Sequence, residues 1–171
     1  MRRAVLASLV ALWPIAAGAE PQIHGAVTAG GGYRPVAPFD EKGASPFFVQ
    51  TEVAFVLDPI QRISHGFSLA VPWALADGVV GIMPSYLLFR RPNLAWAHYF
   101  RVGYQIVMAP PTEGGSVDLA NGVEVGAGLI YYLRAGLGIV VEADADYFAG
   151  VDDALVVGAH GGVAIGYEIL P

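Results

Sequence analysis

The end of the chain alternates. Val157, Ala159, Val163, Ile165, Tyr167 and Ile169 fall on one face of an extended segment, and His160, Gly162, Ala164, Gly166 and Glu168 fall on the other. The stretch before it does the same, with Ile139, Val141, Ala143, Ala145 and Tyr147 opposing Val140, Glu142, Asp144 and Asp146. One face is apolar and the other small or polar, which is the period-two signature of a β-strand. Read this way, residues 20–171 divide into eight strands, at roughly 22–33, 47–57, 63–73, 78–90, 95–108, 121–133, 136–148 and 155–169. Each is close to the ~9–11 residues that a tilted strand needs to cross a bilayer.

The connections are unequal. Long loops run from Arg34 to Pro46 and from Ala109 to Ala120, the second containing Pro110-Pro111 and Gly114-Gly115. The return connections are tight: Asp58-Pro59-Ile60-Gln61-Arg62, Arg91-Pro92-Asn93 and Arg134-Ala135. All of the tight ones fall at the end where the first strand begins. The pattern predicts an all-β fold, an eight-stranded antiparallel up-and-down transmembrane β-barrel, as a single domain without internal repeats. Pro84 interrupts the fourth segment, where it removes a ladder donor. It predicts either a bulge or a strand boundary different from the one drawn.

Composition narrows the setting. Of 171 residues, 55% are hydrophobic and 14% charged, yet beyond the first twenty no run is apolar enough for a membrane helix. The 22 glycines and 12 prolines are too many for a helical bundle. Met1-Arg2-Arg3, the apolar run Ala4 to Leu12, Pro14 and Ala17-Gly18-Ala19 form the positive, apolar and small-residue regions of a secretory signal. Cleavage is expected before Glu20, giving a signal peptide over 1–19 and a barrel domain over 20–171. The ordinary export route is preferred over the twin-arginine one, since two adjacent arginines are a weak signal. With 15 acidic and 9 basic residues the chain is net acidic and offers no basic patch for nucleic acid. Cysteine is absent, which removes disulfides, thiol nucleophiles and thiolate metal sites. A closed barrel supplies rigidity instead, because every strand is paired on both sides.

Aromatic residues on the apolar faces gather at two levels. Tyr33, Phe47, Trp73 and Tyr147 fall near one set of strand ends, and Phe55, Trp96, Tyr131 and Tyr167 near the other. Two such rings are what the two interfaces of a bilayer select. With these features the region resembles the small eight-stranded outer-membrane barrels, such as the transmembrane domain of outer-membrane protein A and the opacity-like proteins. The ending Gly166-Tyr167-Glu168-Ile169-Leu170-Pro171 is similar to the C-terminal assembly signal of that class, but it lacks the terminal phenylalanine. The resemblance implies a monomer in a Gram-negative outer membrane, in contact with lipid and lipopolysaccharide and inserted by the barrel assembly machinery. It also places the tight connections in the periplasm and the long ones outside the cell.

The polar face holds the candidate chemistry. Thr28, Glu52, Ser68, Ser85, Arg101, Glu142 and His160 stand at similar depth near mid-strand. Charges inside so narrow a barrel are costly unless paired. Glu52, Arg101, Glu142 and His160 are therefore expected to form a salt-bridged lumen network, a reading preferred to an open polar pathway. Glu124, Asp144 and Asp146 gather toward the long-loop end as an acidic vestibule, neutralised by Arg34 or Lys42. A calcium site there lacks the usual loop spacing. His24 and Glu168, near the start of the first strand and the end of the last, are expected to pair across the barrel closure. The four histidines show no metal-ligand spacing, so no metal or other cofactor is expected. Glycines such as Gly126 and Gly128 lack the context of a phosphate loop and are expected to make room for Tyr99 and Tyr132.

The resemblance brings in lipid A deacylases, which carry serine two residues after a histidine. Here those positions hold Ala26, Phe67, Phe100 and Gly162. A constellation of Ser68, His160 and Glu142 is the remaining serine-based arrangement, and a non-enzyme is preferred. The expected role is a structural or surface-interacting outer-membrane barrel with a polar, plugged lumen. The alternatives are a narrow channel or conduit for small hydrophobic molecules, and a periplasmic lipocalin-like carrier with its apolar face turned inward.

Overall fold

A computed structural model of the chain describes residues 21–36, 43–57, 63–76, 78–110, 118–134, 136–149 and 154–168. The expected signal peptide, Lys42, Arg62, Gly114-Gly115, Asp152-Asp153 and the last residues from Ile169 lie outside the described residues, as do the side chains of Tyr167 and Glu168. In chain order the strands are β1 (Pro21–Val36), β2 (Gly43–Ala44), β3 (Phe48–Leu57), β4 (Ser64–Ala74), β5 (Val79–Arg90), β6 (Trp96–Ala109), β7 (Asp118–Arg134), β8 (Leu137–Ala149) and β9 (Ala154–Glu168). All but β2 form the wall, each strand antiparallel to its sequence neighbour, and β9 pairs back onto β1 to close the barrel. Closure removes the unpaired edges that an open sheet would expose. The two-residue β2 covers β1 where it overruns β3, through Tyr33↔Ala44 and Arg34↔Gly43, and the Ser45 N–H donates to the Gly32 carbonyl at 2.9 Å.

One end of the barrel carries the start of β1, the end of β9 and the β3–β4, β5–β6 and β7–β8 connections; it is called here the turn end. The other is the loop end. At the turn end Gly136 takes φ +78, a left-handed conformation that suits glycine, and its carbonyl accepts the Gly166 N–H at 2.7 Å. Tight connections are not confined to this end. β4 ends at Ala74 and β5 begins at Val79, so their loop-end connection is also short, and Gly78 in it takes φ +64.

Pro84 neither bulges nor ends its strand. β5 keeps one register against β4 from Ser64↔Phe89 to Ala74↔Val79, with Pro84 opposite Leu69. It also keeps one register against β6, but the ladder is interrupted between Ile82↔Ile106 and Ser85↔Gly103. The missing donor therefore falls on the β6 side, and the strand absorbs it as a local gap. Pro72 leaves a matching gap between β4 and β5, from Ala70↔Met83 to Trp73↔Val80.

The two faces separate as the alternation requires. Val102, Val123, Val125, Leu129, Ile139, Val141 and Val163 are exposed on the outside, while Arg101, Glu124, Glu142 and His160 are buried inside. The lipocalin-like alternative needs the reverse arrangement, so the observed faces overturn it. Tyr33, Phe47, Trp73 and Tyr147 are exposed toward the loop end, and Phe55, Trp96 and Tyr131 toward the turn end. Trp96 and Tyr131 are cross-strand partners with ring centroids 4.5 Å apart. Also on the outside, the Tyr86 hydroxyl is hydrogen-bonded to His65 Nδ1 and its ring meets Phe67 edge-on. From Ile139 to Tyr147, at ~3.4 Å per residue and ~40° of tilt, the wall rises roughly 20 Å, near the ~25 Å apolar band of such barrels.

Candidate functional site in the barrel lumen

The interior is layered along the barrel axis. Toward the turn end a cluster of buried apolar side chains, including Val56, Phe89, Ile130, Tyr132 and Val140, occupies the lumen. Above it Arg101 projects from β6 and is wholly buried, at 0% exposure. Every alternate residue of β6 from Ala97 to Gln105 points inward, so the strand delivers a guanidinium to mid-depth with Tyr99 two residues below it.

Three strands bring carboxylates to this one cation. Arg101 Nη1 pairs with Glu52 Oε2 from β3 at 3.0 Å, and Arg101 Nε lies 3.0 Å from Glu124 Oε1 of β7. The same Nε donates a hydrogen bond to Glu142 Oε1 of β8 at 2.9 Å, and Nη2 is also ion-paired with that oxygen. The planar, permanently charged head of arginine suits such multiple engagement. The Tyr99 hydroxyl donates to Glu142 Oε2 at 2.5 Å. His160 of β9 continues the chain: its Nε2 lies 3.6 Å from Glu142 Oε2 and 3.5 Å from Asp144 Oδ2, and its Nδ1 is hydrogen-bonded to Thr28 Oγ1 at 2.9 Å.

Glu52, Arg101, Glu142 and His160 thus meet in one network. Glu124, grouped from sequence with Asp144 and Asp146 as a vestibule, is a direct partner of Arg101 and ties the two groups together. Glu124 and Asp146 are directly opposed in the β7–β8 ladder, and Asp144 bridges toward His160. His24 does not sit opposite Glu168. The closing register pairs it with Gly166 and sets Gln22 opposite Glu168, because β9 meets β1 two residues away from the expected alignment. The His24 ring instead packs on Phe89, with centroids 5.2 Å apart.

Sequence reading missed the polar partners that carry no charge. Tyr99 was seen as bulk and not as a donor to Glu142, although its place two residues from Arg101 on the same face was a signal. Gln50 and Gln105 also point into the lumen, and nothing in the alternation distinguishes them from inert polar filler. The glycine reading was apt for one of its two aromatics. Gly128 lies directly across the ladder from Tyr99, whose ring and hydroxyl occupy the space that a Cβ there would need. Gly128→Leu should therefore push Tyr99 off Glu142 and cost ~1–3 kcal/mol by overpacking. Denaturant unfolding in detergent checks this, and an unchanged midpoint would mean that Tyr99 has another place to go.

The arrangement does not assemble the serine constellation considered from sequence. His160 Nδ1 is engaged by Thr28, and Ser68 Oγ has no hydrogen-bond partner among the described residues. No group of three or more His, Asp or Glu side chains is placed to hold a metal ion among the described residues.

An apolar exterior between two aromatic rings, around a charged interior closed by strand pairing, defines a transmembrane β-barrel of the eight-stranded outer-membrane type. The chain is similar to the crystal structure of neisserial surface protein A, with a TM-score of 0.58 at 10% identity over 86% of this chain and 98% of that one. It is also similar to the N-terminal barrel domain of Pseudomonas aeruginosa OprF (TM-score 0.52, 14% identity, 87% of this chain and 99% of that one). A third similarity is to Ail, the attachment invasion locus protein of Yersinia pestis (TM-score 0.51, 14% identity, again 87% and 99%). The likeness lies in the fold. No protein-family model and no curated protein sequence matches the chain.

Proposed function

We propose that this protein is a monomeric integral barrel of the Gram-negative outer membrane, with a structural or surface-interacting role and a lumen closed by its own side chains. In this reading it is exported by the signal over residues 1–19, inserted by the barrel assembly machinery and surrounded by lipid and lipopolysaccharide. It has no enzymatic turnover. The observation that carries the closed lumen is Arg101, with no exposed surface and ion pairs to carboxylates on three different strands. Such a cross-brace leaves little room for ions to pass, and the apolar cluster below it opposes their hydration.

Expressed with its leader, the protein should enter the outer-membrane fraction with Glu20 as its first residue. Unboiled samples should migrate differently from boiled ones in detergent gels, because a closed barrel resists unfolding. Recovery from the soluble periplasm would overturn the membrane reading. In planar bilayers the purified barrel should give no steps of constant conductance. Reproducible steps would show that the network leaves a path, and the narrow-channel alternative would replace the plugged one.

A further inference from the structure

Above the Arg101 network, toward the loop end, the lumen holds a cavity of about 160 Å³. Its wall mixes acidic and apolar side chains, and Phe148 lines it from the same strand as Asp144 and Asp146. Glu124, Asp144 and Asp146 face it from β7 and β8, whereas Phe48, Pro72 and Val107 face it from β3, β4 and β6. Among the described residues Arg101 is already shared among Glu52, Glu124 and Glu142, and Asp144 and Asp146 add two further carboxyl groups, with His160 close to Asp144. Asp144 Oδ2, which is ion-paired with His160, and Asp146 Oδ1 are buried atoms without a hydrogen-bond partner among the described residues.

A second observation is independent of the acids. Gln50 and Gln105, on β3 and β6, also line the cavity and are 4% and 9% exposed. Gln50 Nε2 and Gln105 Oε1 have no hydrogen-bond partner among the described residues. Buried amide groups left unpaired cost on the order of 1–3 kcal/mol each, so polar groups of this kind usually face a ligand or ordered water. Together they offer one donor and one acceptor, Gln50 from β3 across the barrel and Gln105 from β6 beside Glu124.

We propose that this cavity binds a small organic cation with an apolar body, an arylalkylammonium of roughly ten non-hydrogen atoms. The carboxylates of Asp144 and Asp146 hold the ammonium, Phe48, Pro72 and Val107 pack the apolar body, and the Gln50 and Gln105 amides meet a polar substituent. An organic ammonium fits better than a metal ion because no three His, Asp or Glu side chains among the described residues converge on one point. It also fits better than a neutral hydrophobe, which would leave the acidic wall unanswered. This site shares Glu124, Asp144 and His160 with the ion network, and its occupancy does not depend on whether the lumen conducts.

The test is calorimetric titration of tyramine into the full mature chain folded in a nonionic detergent, with 4-ethylphenol as the comparator that lacks the amine. Tyramine should bind saturably at one site. 4-Ethylphenol, corrected for its linear partition into micelles, should bind at least ten-fold more weakly. Asp146→Asn should weaken tyramine at least ten-fold, and Val107→Trp, which fills the apolar side, should abolish binding. Each variant is first shown to fold by its heat-modifiable mobility; Gln105→Leu replaces whichever does not, with a loss of at least three-fold expected. Absence of saturation at millimolar tyramine overturns the proposal. So does equal binding of 4-ethylphenol, or full binding to a folded Val107→Trp barrel.

Discussion

Replacing Arg101 by alanine should lower the unfolding free energy of the barrel by ~3–5 kcal/mol, the range expected when one member of a buried ion network is removed. The guanidinium itself is not the main loss. Alanine leaves Glu52, Glu124 and Glu142 facing one another around an empty space, within reach of Asp144 and Asp146 on the same interior face. Water entering from the loop end would soften the effect toward the lower figure. Arg90→Ala is the matched control, since Arg90 is exposed at the turn end, and it should cost well under ~1 kcal/mol. Denaturant unfolding of both variants refolded in one detergent separates the cases. Adding Glu142→Gln to Arg101→Ala should recover part of the loss, because it removes one of the stranded charges; such non-additivity is the mark of a true network. Equal, mild effects of Arg101→Ala and Arg90→Ala would remove Arg101 from the centre of the structure.

The second large effect is expected on the opposite face. Val125 is exposed on the outside of β7 and sits across the ladder from Val102, near the middle of the strand. Val125→Arg should cost ~2–4 kcal/mol in a lipid bilayer, the penalty for arginine near the midplane of a barrel wall. Leu119 is also exposed on β7 but lies next to its loop end. Leu119→Arg should cost only ~0–1 kcal/mol, because its head reaches the interface. The comparison is made by reversible unfolding from phospholipid vesicles. Equal costs at the two depths would mean that this face does not meet hydrocarbon.

The wall was legible because its information is local. Val157 to Ile165 or Ile139 to Tyr147 announce their two faces by alternation alone, and the aromatic rings follow from where each strand stops. Placement of the ionisable residues on the inner face followed directly from the same period. What was not legible depended on register. Glu124 was grouped with its neighbours on β8, whereas the β6–β7 pairing Gly103↔Glu124 brings it close to Arg101. His24 was set against Glu168 on the basis of strand ends, and a difference of two residues in the closing ladder gives it Gly166 instead. Pro84 misled in a different way. Its missing donor was visible in the sequence, but a ladder with paired strands on both sides can lose one bond without shifting, and nothing local says so. Gln50 and Gln105 show the remaining limit, because an unpaired amide is defined only by what surrounds it.

The middle of the closing seam between β1 and β9 is nearly bare of bulk. Its cross-strand pairs include Thr28↔Gly162, Ala29↔Gly161, Gly30↔His160, Gly31↔Ala159 and Gly32↔Gly158. Small residues let the first and last strands approach closely, but they say little about which alignment is correct, and glycine-rich ladders are prone to slip. The hydrogen bond between His160 and Thr28 crosses this seam, and His160 is in turn held by Glu142 and Asp144 on the strand behind it. A slip of one residue would carry His160 into the lipid and Val163 into the lumen, breaking those contacts at once. The ion network is thus also a key for the final act of assembly: a barrel zipped shut one notch out of place cannot turn it.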